Sequence, residues 1–204
     1  MRSDNHQNEV RIKVTSAPAT EPVTLTEIKA HLRVDHTADD TLLGSYIQAA
    51  RETIESWTAR RMITRTEKLF LQEFPASGVI VIPAAPVSAV TAINVLDEEL
   101  AATPFAATNY VVDLNSPLAR VALKFGACWP TLSADRKPVN PIEVTFTSGY
   151  ANAAAVPETL KTAVKLLVGH FYENREDSTP LTVNQLPVGV RHLIAPYRVW
   201  EAIL

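Results

Sequence analysis

The stretch "DDTLLGSYIQAARETIESW" (residues 39–57) carries the clearest helical pattern in the sequence. Its apolar residues recur at spacings of three, four and seven, as in a helix that buries one face. This face comprises Leu43, Tyr46, Ile47, Ala50, Ile54 and Trp57. Asp39 or Asp40 can cap the helix N-terminus, where a negative charge also suits the helix dipole. A face of this length needs partners, so we expect a helix within a bundle.

A second, shorter helix is predicted immediately before it. Thr24 and Glu27 form a T-x-x-E capping box, which places the helix start at Leu25. Leu25, Ile28 and Leu32 then share one face. Two helices separated by a short polar break match the outline of a helix-turn-helix, so a DNA-binding regulator is one interpretation of this region.

The charge of the region favours bundle packing over DNA binding. A recognition helix would begin at Asp39 and Asp40, whose carboxylates repel phosphates. Residues 24–63 contain six acidic and five basic side chains, and the whole chain has 22 acidic and 19 basic residues, with a net charge of −3. The helix-turn-helix regulator is therefore kept as the alternative function.

A basic cluster follows the long helix. It consists of Arg60, Arg61, Arg65 and Lys68. Cations at a helix C-terminus complement its dipole and are usually solvated, which is the favoured interpretation. A docking patch for an acidic partner surface is the alternative, and it makes Arg60, Arg61 and Arg65 candidate partner-binding residues.

The middle of the chain, residues 66–150, changes to β character. Six segments are rich in Val, Ile, Thr and Phe and are separated by Pro, Gly or Asn: "EKLFLQEFP", "GVIVIP", "VSAVTAINVLD", "NYVVDL", "ARVALKF" and "NPIEVTFTSGY". They predict about six strands, antiparallel because the connections are too short for helical crossovers. The "DEE" at 97–99 is typical of a hairpin turn.

The rest of the chain returns to helix. Pro157 fits a first helical position, and the face of the following helix comprises Leu160, Val164, Leu167 and Phe171. "VGVRHLIA" predicts a short helix stopped by Pro196. Neither helical half can bury its face alone. We therefore predict an α+β fold, in which a helical bundle built from both ends of the chain carries an inserted antiparallel β domain.

The predicted boundaries follow from these changes of pattern. They are an N-terminal arm at 1–22, the helical bundle at 23–65 with 151–198, the inserted β domain at 66–150 and an apolar C-terminal tail at 199–204. Within the arm, "VRIKVT" (10–15) alternates as a short strand does. The tail either folds back onto its own core or inserts into a partner.

No catalytic or metal motif is found in the sequence. The five histidines are His6, His31, His36, His170 and His192, and none lies in an H-E-x-x-H motif or beside a C-x-x-C pair. Cys128 would need a base, and His170 is the one candidate. We expect instead a small, partly buried cysteine and no cofactor. An enzyme remains the third class, after a structural protein and a DNA-binding protein.

The order of these features resembles a known family. The stretches that carry the resemblance, across residues 22–198, are "PVTLTEIKAHLRVD", "DDTLLGSYIQAARETIESWTARRMI", "GACWP", "SGYAN", "VPETLKTAVKLLVGHFYENRE" and "LPVGVRHLIAPYR". Together they look like the head–tail connector proteins, the head-completion adaptors of long-tailed phages and of phage-derived gene transfer agents.

The resemblance implies a structural role without enzymatic activity. Members form a ring below the portal protein, commonly twelve-fold on the particle, which joins the DNA-filled head to the tail. A tail-side stopper or terminator would be the other neighbour, and DNA would pass through the channel without sequence-specific binding. The protein would be made in the host bacterial cytoplasm and found in the virion. Smaller members are essentially the helical bundle, which would make the β region an elaboration.

By analogy with this family, we expect two partner-binding segments. The first meets the portal or an adjacent subunit and contains Pro196, Tyr197, Arg198, Val199, Trp200, Ile203 and Leu204. The second is the strand Val10–Thr15, which would add to the sheet of a neighbouring subunit.

Overall fold

The structure, a computed structural model, describes residues 11–132, 135–175 and 187–199. The chain forms two compact units. One comprises residues 11–17 and Arg65–Ser148, and the other comprises Pro18–Thr64 and the described residues from Gly149 onward. No helix in the described ranges combines the length and hydropathy that a membrane span requires.

The first unit, called the sheet unit below, consists of antiparallel strands. Its described residues contain β1 (Arg11–Ser16), β2 (Arg65–Leu71), β3 (Val79–Val81), β4 (Val87–Leu96), β5 (Ala102–Pro104), β6 (Tyr110–Asp113), β7 (Arg120–Leu123) and β8 (Ile142–Ser148). A five-stranded sheet has the order β1-β2-β8-β4-β5, and a three-stranded sheet has the order β3-β7-β6. Each of the six predicted segments contains one strand.

The inward-facing side chains of both sheets form one hydrophobic core. Phe146, Leu69 and Val144 come from the five-stranded sheet, and Ile80 and Val121 come from the three-stranded one. Phe146, Leu69, Val144 and Val121 are fully buried. Burial alternates most clearly along the second half of β2 and of β8, where buried positions are two residues apart.

The N-terminal strand belongs to the chain's own sheet. β1 is antiparallel to β2, with Ile12 opposite Leu69 and Lys13 opposite Lys68. Within the single chain β1 is the edge strand of its own sheet, and its addition to the sheet of a neighbouring subunit stays a prediction. The predicted arm at 1–22 is also divided, since residues 11–17 belong to the sheet unit and residues 18–22 to the other unit.

The second unit, called the helical unit below, contains α1 (Leu25–Leu32), α2 (Asp40–Thr58), α3 (Glu158–Glu173) and α4 (Val188–Ile194), with short 3-10 turns at Ala153–Ala155 and Ala195–Tyr197. Its core draws on all four helices, through residues such as Ile28, Ile54, Leu160, Val164 and Ile194. Helices from both ends of the sequence thus share one core. The mixed α+β class is confirmed.

The chain leaves and re-enters the helical unit at adjacent positions. The backbone N–H of Thr64 donates to the carbonyl oxygen of Tyr150 at 2.9 Å. Gly149, beside it, has φ of 99°, and a Cβ there would lie 2.3 Å from the carbonyl oxygen of Ile63. Only glycine fits this close approach. At the next helix, Pro157 is the N-cap rather than the first helical residue, one position from the prediction.

Candidate partner-binding surface

The corner between α1 and α2 begins with the predicted capping box. The Glu27 backbone N–H donates to the Thr24 hydroxyl at 3.2 Å, and the Thr24 N–H donates to the Glu27 carboxylate at 2.8 Å. The hydrogen bond from the Thr24 backbone is the main reason that the pKa of Glu27 lies below its usual value. The predicted helix start at Leu25 is confirmed.

The acidic pair at the start of α2 makes tertiary contacts instead of a side-chain cap. Asp39 occupies the N-cap position but makes no side-chain capping bond. Its carboxylate instead accepts a hydrogen bond from the Tyr172 hydroxyl at 2.6 Å and one from Arg175 at 3.2 Å. Asp40 pairs with Lys29 at 2.7 Å. The predicted N-cap position of Asp39 is thus confirmed, but the predicted side-chain cap is not formed, because the carboxylate is used in a tertiary contact with α3.

The hydrogen bond between Asp39 and Tyr172 shifts both groups. It lowers the pKa of Asp39, with the nearby Arg175 contributing in the same direction. It also raises the pKa of the Tyr172 hydroxyl, because ionisation would place a second negative charge beside the carboxylate. The Asp39 carboxylate therefore stays ionised and engaged with Tyr172 and Arg175, and an aspartate at this position does not suit the start of a DNA-reading helix.

The four residues of the basic cluster belong to different units. Arg65 and Lys68 lie on β2 of the sheet unit. The Arg65 side chain is 8% exposed and lies 3.3 Å from the Glu67 carboxylate, and Lys68 pairs with Glu143 at 2.7 Å. Arg60 and Arg61 precede the boundary and belong to the helical unit. Arg65, a candidate partner-binding residue, is directed at a carboxylate of its own unit.

Arg60 holds the C-terminal segment against α2. Its guanidinium donates to the Tyr197 carbonyl oxygen at 2.7 Å and lies 5.9 Å from the Tyr197 ring. Two residues further on, the Val199 N–H donates to the Thr58 carbonyl oxygen at 3.1 Å, and Val199 is 5% exposed. Of the two alternatives for the tail, Val199 follows the folded-back one.

The remaining predicted tail residues divide as follows. Pro196 is exposed in the 3-10 turn, and Tyr197 and Arg198 are half-buried. Trp200, Ile203 and Leu204 lie outside the described residues.

A cleft of about 360 Å³ opens beside this segment. It is lined by Trp57, Val188, Arg191, His192, Ile194, Ala195 and Arg198. The Arg198 guanidinium lies 5.8 Å from the Trp57 ring. This cleft was not predicted from the sequence, since Trp57 is far in sequence from α4 and was assigned to the core face of α2. The sequence pattern that could have indicated the cleft is Val188, an exposed apolar residue, three and four positions before the basic residues Arg191 and His192.

The histidines and the cysteine that the structure describes form no recognisable reactive site. No group of three or more potential ligands among His, Cys, Asp and Glu is found within the described residues. The His170 ring nitrogen lies 3.2 Å from the Asn174 amide. Cys128 is exposed, so the expectation of a partly buried cysteine was wrong. Its neighbour Trp129 stacks on Phe74 with ring centroids 4.7 Å apart.

Comparison with protein families gives one match. A profile described as "Phage gp6-like head-tail connector protein" covers residues 22–99 and 133–198. It includes all four helices as well as β2, β3, β4 and β8, and it leaves out residues 100–132. The described strands that lie outside this profile are therefore β1 and those from β5 to β7, whereas the whole β region was expected to be an elaboration. A comparison with proteins of curated function finds no match.

Solved structures of other proteins are also similar to this chain. A protein in the neck of an empty gene transfer agent particle, computed with C6 symmetry, is 30% identical over 92% of this chain and 95% of its own, with a TM-score of 0.77. One in the virion of a native gene transfer agent particle has the same identity and TM-score, over 94% of its own length. A third, in a native neck computed with C12 symmetry, is 31% identical, with a TM-score of 0.67.

These matches define a class of structural proteins that connect heads to tails in phage-like particles. The chain belongs to the phage gp6-like head-tail connector family. Its function is that of a head–tail connector, or adaptor, and the class is structural rather than enzymatic.

Proposed function

We propose that this chain is the ring-forming connector at the neck of a gene transfer agent or of a related tailed phage, where it joins the DNA-filled head to the tail. The observation that carries the proposal is the similarity to a gene transfer agent neck protein, with 30% identity and a TM-score of 0.77 over 92% of the chain. The C6 and C12 symmetries in the descriptions of the similar necks support a ring of twelve copies.

The physical character of the chain supports this role. A ring closes through heterologous contacts, in which the front of each subunit meets the back of the next. A net charge of −3 suits a channel through which DNA slides without being retained. Weak contacts between subunits are sufficient if a portal ring presents all the binding sites together, because the effective concentration on that template is high.

The proposed neighbours are the portal protein on the head side and a stopper or terminator protein on the tail side. We propose that the C-terminal segment contacts the portal or an adjacent subunit. Val199 is held by Thr58 and is buried, so the proposed contact region begins after it, with Trp200, Ile203 and Leu204.

Truncation after Val199 tests the portal contact. The truncated chain retains the Val199–Thr58 and Arg60–Tyr197 bonds, so it should fold like the full chain, with the same circular dichroism and nearly the same thermal midpoint. We expect its binding to purified portal rings, measured by sedimentation, to weaken by at least about tenfold, because apolar anchors dominate interface energies. A folded truncation that binds the portal as tightly as the full chain would rule out this contact.

The helix-turn-helix alternative has no comparable support. The carboxylates at the start of α2 are engaged by Lys29, Tyr172 and Arg175. α2 is 19 residues long and buries Leu43, Ile47 and Ile54 in the bundle core. We therefore make no proposal of DNA reading.

A further inference from the structure

We propose that the sheet unit carries a contact between copies of this chain, in which Phe125 of one copy inserts into an apolar cleft beside Trp129 of another. The inference deepens the proposed function, on which it rests for the setting in which the copies meet, a ring of subunits. Most of this contact lies in residues 100–132, which the family profile leaves out. The contact itself can be tested separately from assembly on a portal.

Phe125 is an apolar anchor presented on a tight turn after β7. Its relative exposure is 109%, so no side chain among the described residues covers it. The Ala127 N–H donates to the Lys124 carbonyl oxygen at 3.0 Å, and Gly126 has φ of 80°, as a type II turn requires. The Lys124 N–H also donates to the Asn109 carbonyl oxygen at 2.9 Å, which ties the turn to the segment before β6. Because the turn is already ordered, burying Phe125 costs little conformational entropy.

A cleft on the same unit is suited to receive such an anchor. Its volume is about 460 Å³, and its apolar lining includes Phe74, Pro75, Leu123, Trp129, Pro130 and Leu132. Trp129 stacks on Phe74 with ring centroids 4.7 Å apart and lies 5.3 Å from the Phe105 ring. All three rings pack against the core of the sheet unit. The aromatic wall is therefore held in place from behind, and an inserted phenyl ring gains aromatic contacts with it.

The anchor does not fill the cleft of its own chain. Leu123 and Ala127, on either side of the turn, both line the cleft, yet Phe125 between them remains fully exposed. An aromatic side chain removes about 150–250 Å² of surface from water when it is buried, which is a large favourable contribution. A second copy can supply what the single chain leaves exposed.

Charge complementarity identifies a second copy as the occupant. Lys124 directly precedes the anchor and Glu73 lines the cleft, and both side chains are exposed. Neither takes part in an ion pair within the described parts of the chain. Insertion of Phe125 brings Lys124 of one copy toward Glu73 of the other, and these opposite charges attract. An anionic partner such as DNA would instead be repelled by Glu73 at the cleft.

Each copy carries both halves of the contact. One copy can therefore offer its anchor to one neighbour and its cleft to another, which is the heterologous arrangement that a ring needs. A single exposed aromatic anchor forms a weak contact in isolation, and repetition around a ring strengthens the assembly.

Photo-cross-linking of the full-length protein tests the contact. Phe125 is replaced by the photo-reactive amino acid p-benzoylphenylalanine, which keeps an aromatic anchor at this position. An equal mixture of isotopically labelled and unlabelled chains is irradiated alone and with portal rings, and the cross-linked peptides are identified by mass spectrometry. We expect mixed-isotope products that join position 125 to the peptides containing Phe74 or Trp129.

Reversal of the two charges tests the proposed pairing. Glu73→Lys and Lys124→Glu should each lower the yield of mixed-isotope product by about threefold or more, because each places like charges together. The double variant should restore the yield to within about twofold of the starting chain, because the opposite charges are exchanged but retained. Both side chains are exposed, so circular dichroism should be unchanged in all three variants.

Leu100 provides the matched control position. It is 62% exposed and lies in another turn of the sheet unit, so the same photo-reactive residue there should give no product with the cleft peptides. Equal products from positions 100 and 125 would overturn the proposal. So would the absence of mixed-isotope products in both preparations, cross-links from position 125 to the portal alone, or a double charge variant that fails to recover.

The result can be separated from the proposed function. A chain that cross-links through position 125 to the cleft of a second copy but does not assemble on the portal would retain this contact and contradict the proposed function. A chain that forms portal-bound rings without any such cross-link would do the reverse.

Discussion

At the scale of single residues, Gly149 is the glycine that leaves the least space for a side chain. Its φ of 99° lies in the region that disfavours side chains, and a Cβ would lie 2.3 Å from the Ile63 carbonyl oxygen and 2.8 Å from the Thr64 nitrogen. The neighbouring atoms are backbone and cannot rotate away. A glycine at this position therefore allows the backbone at Ile63 and Thr64 to lie directly beside the backbone at Gly149.

Alanine substitutions of two glycines test this reading. Gly149→Ala should lower the free energy of unfolding by about 2 kcal/mol or more, because both the backbone conformation and the space are incompatible. Gly44→Ala is the matched control, since nothing lies within 4 Å of its added Cβ, and within a helix it should raise stability by about 0.5–1 kcal/mol. Urea unfolding measures both. Equal effects of the two substitutions would contradict the close approach.

The hydrogen bond between Tyr172 and Asp39 predicts a pH dependence. The pKa of Asp39 is lowered in the folded chain, so the stabilisation is present above the unfolded value of about 4 and is lost as pH falls through the lowered pKa. The pKa of Tyr172 is raised, so its contribution is present below about pH 10 and is lost as pH rises through the raised value.

Tyr172→Phe should therefore reduce the urea midpoint at pH 7, and the difference from the wild type should shrink as pH falls below about 4. Tyr46→Phe serves as the control, because Tyr46 packs on Phe171 in the same unit without a hydroxyl bond to Asp39. A constant difference between Tyr172→Phe and the wild type from pH 3 to pH 8 would show that the hydrogen bond is not responsible.

The sequence could predict some of these residue-level features and not others. The capping box of Thr24 and Glu27 was predictable because both partners lie within four residues. The hydrogen bond between Asp39 and Tyr172 was not predictable, because the two residues are more than a hundred positions apart. An N-cap aspartate without such a tertiary partner looks the same in the sequence. The same limit applies to Trp57, whose cleft partners lie on α4.

At the scale of secondary structure elements, the C-terminal segment is joined to α2 by a small set of polar contacts. Arg60 donates to the Tyr197 carbonyl oxygen, and the Val199 N–H donates to the Thr58 carbonyl oxygen. The second bond also satisfies a carbonyl at the end of a helix, which otherwise has no partner within the helix.

Replacing Arg60 tests whether this anchor holds the segment. Arg60→Met keeps most of the aliphatic stem and removes the charged donor, so the segment should open more often. We expect amide hydrogen exchange at Val199 to accelerate by about tenfold or more, as the loss of a charged hydrogen bond implies. Lys124→Met should leave the exchange unchanged. Unaltered protection of Val199 in Arg60→Met would show that the buried Val199 side chain alone holds the segment.

Elements were predicted best where local pattern and burial agree. Six strands of the sheet unit lie in segments that are rich in Val, Ile, Thr and Phe and bounded by Pro, Gly or Asn. The missed strand, β5, is three residues long, has every residue exposed and ends in Pro104, so it carries no alternation to detect. The hairpin turn at 97–99 was correct, and Leu100, at φ of 67°, lies in the same turn. Pairing of β1 with its own chain depended on tertiary register, which a single sequence does not encode locally.

At the scale of the whole molecule, the chain combines two compact units with different relations to the family. The profile of the family spans the helical unit and the central strands and omits residues 100–132. The gene transfer agent neck proteins, by contrast, match over 90–92% of this chain. These structural similarities therefore cover more of the chain than the family profile does.

Assembly on the portal is the direct test of the central claim. The measurement is mass by light scattering and symmetry by electron microscopy, for the full chain with and without portal rings from the same gene cluster. If the chain is a connector, we expect a ring of about twelve copies stacked on one face of the portal, even if the isolated chain is a monomer. A chain that ignores the portal and instead retards duplex DNA at physiological salt would contradict it.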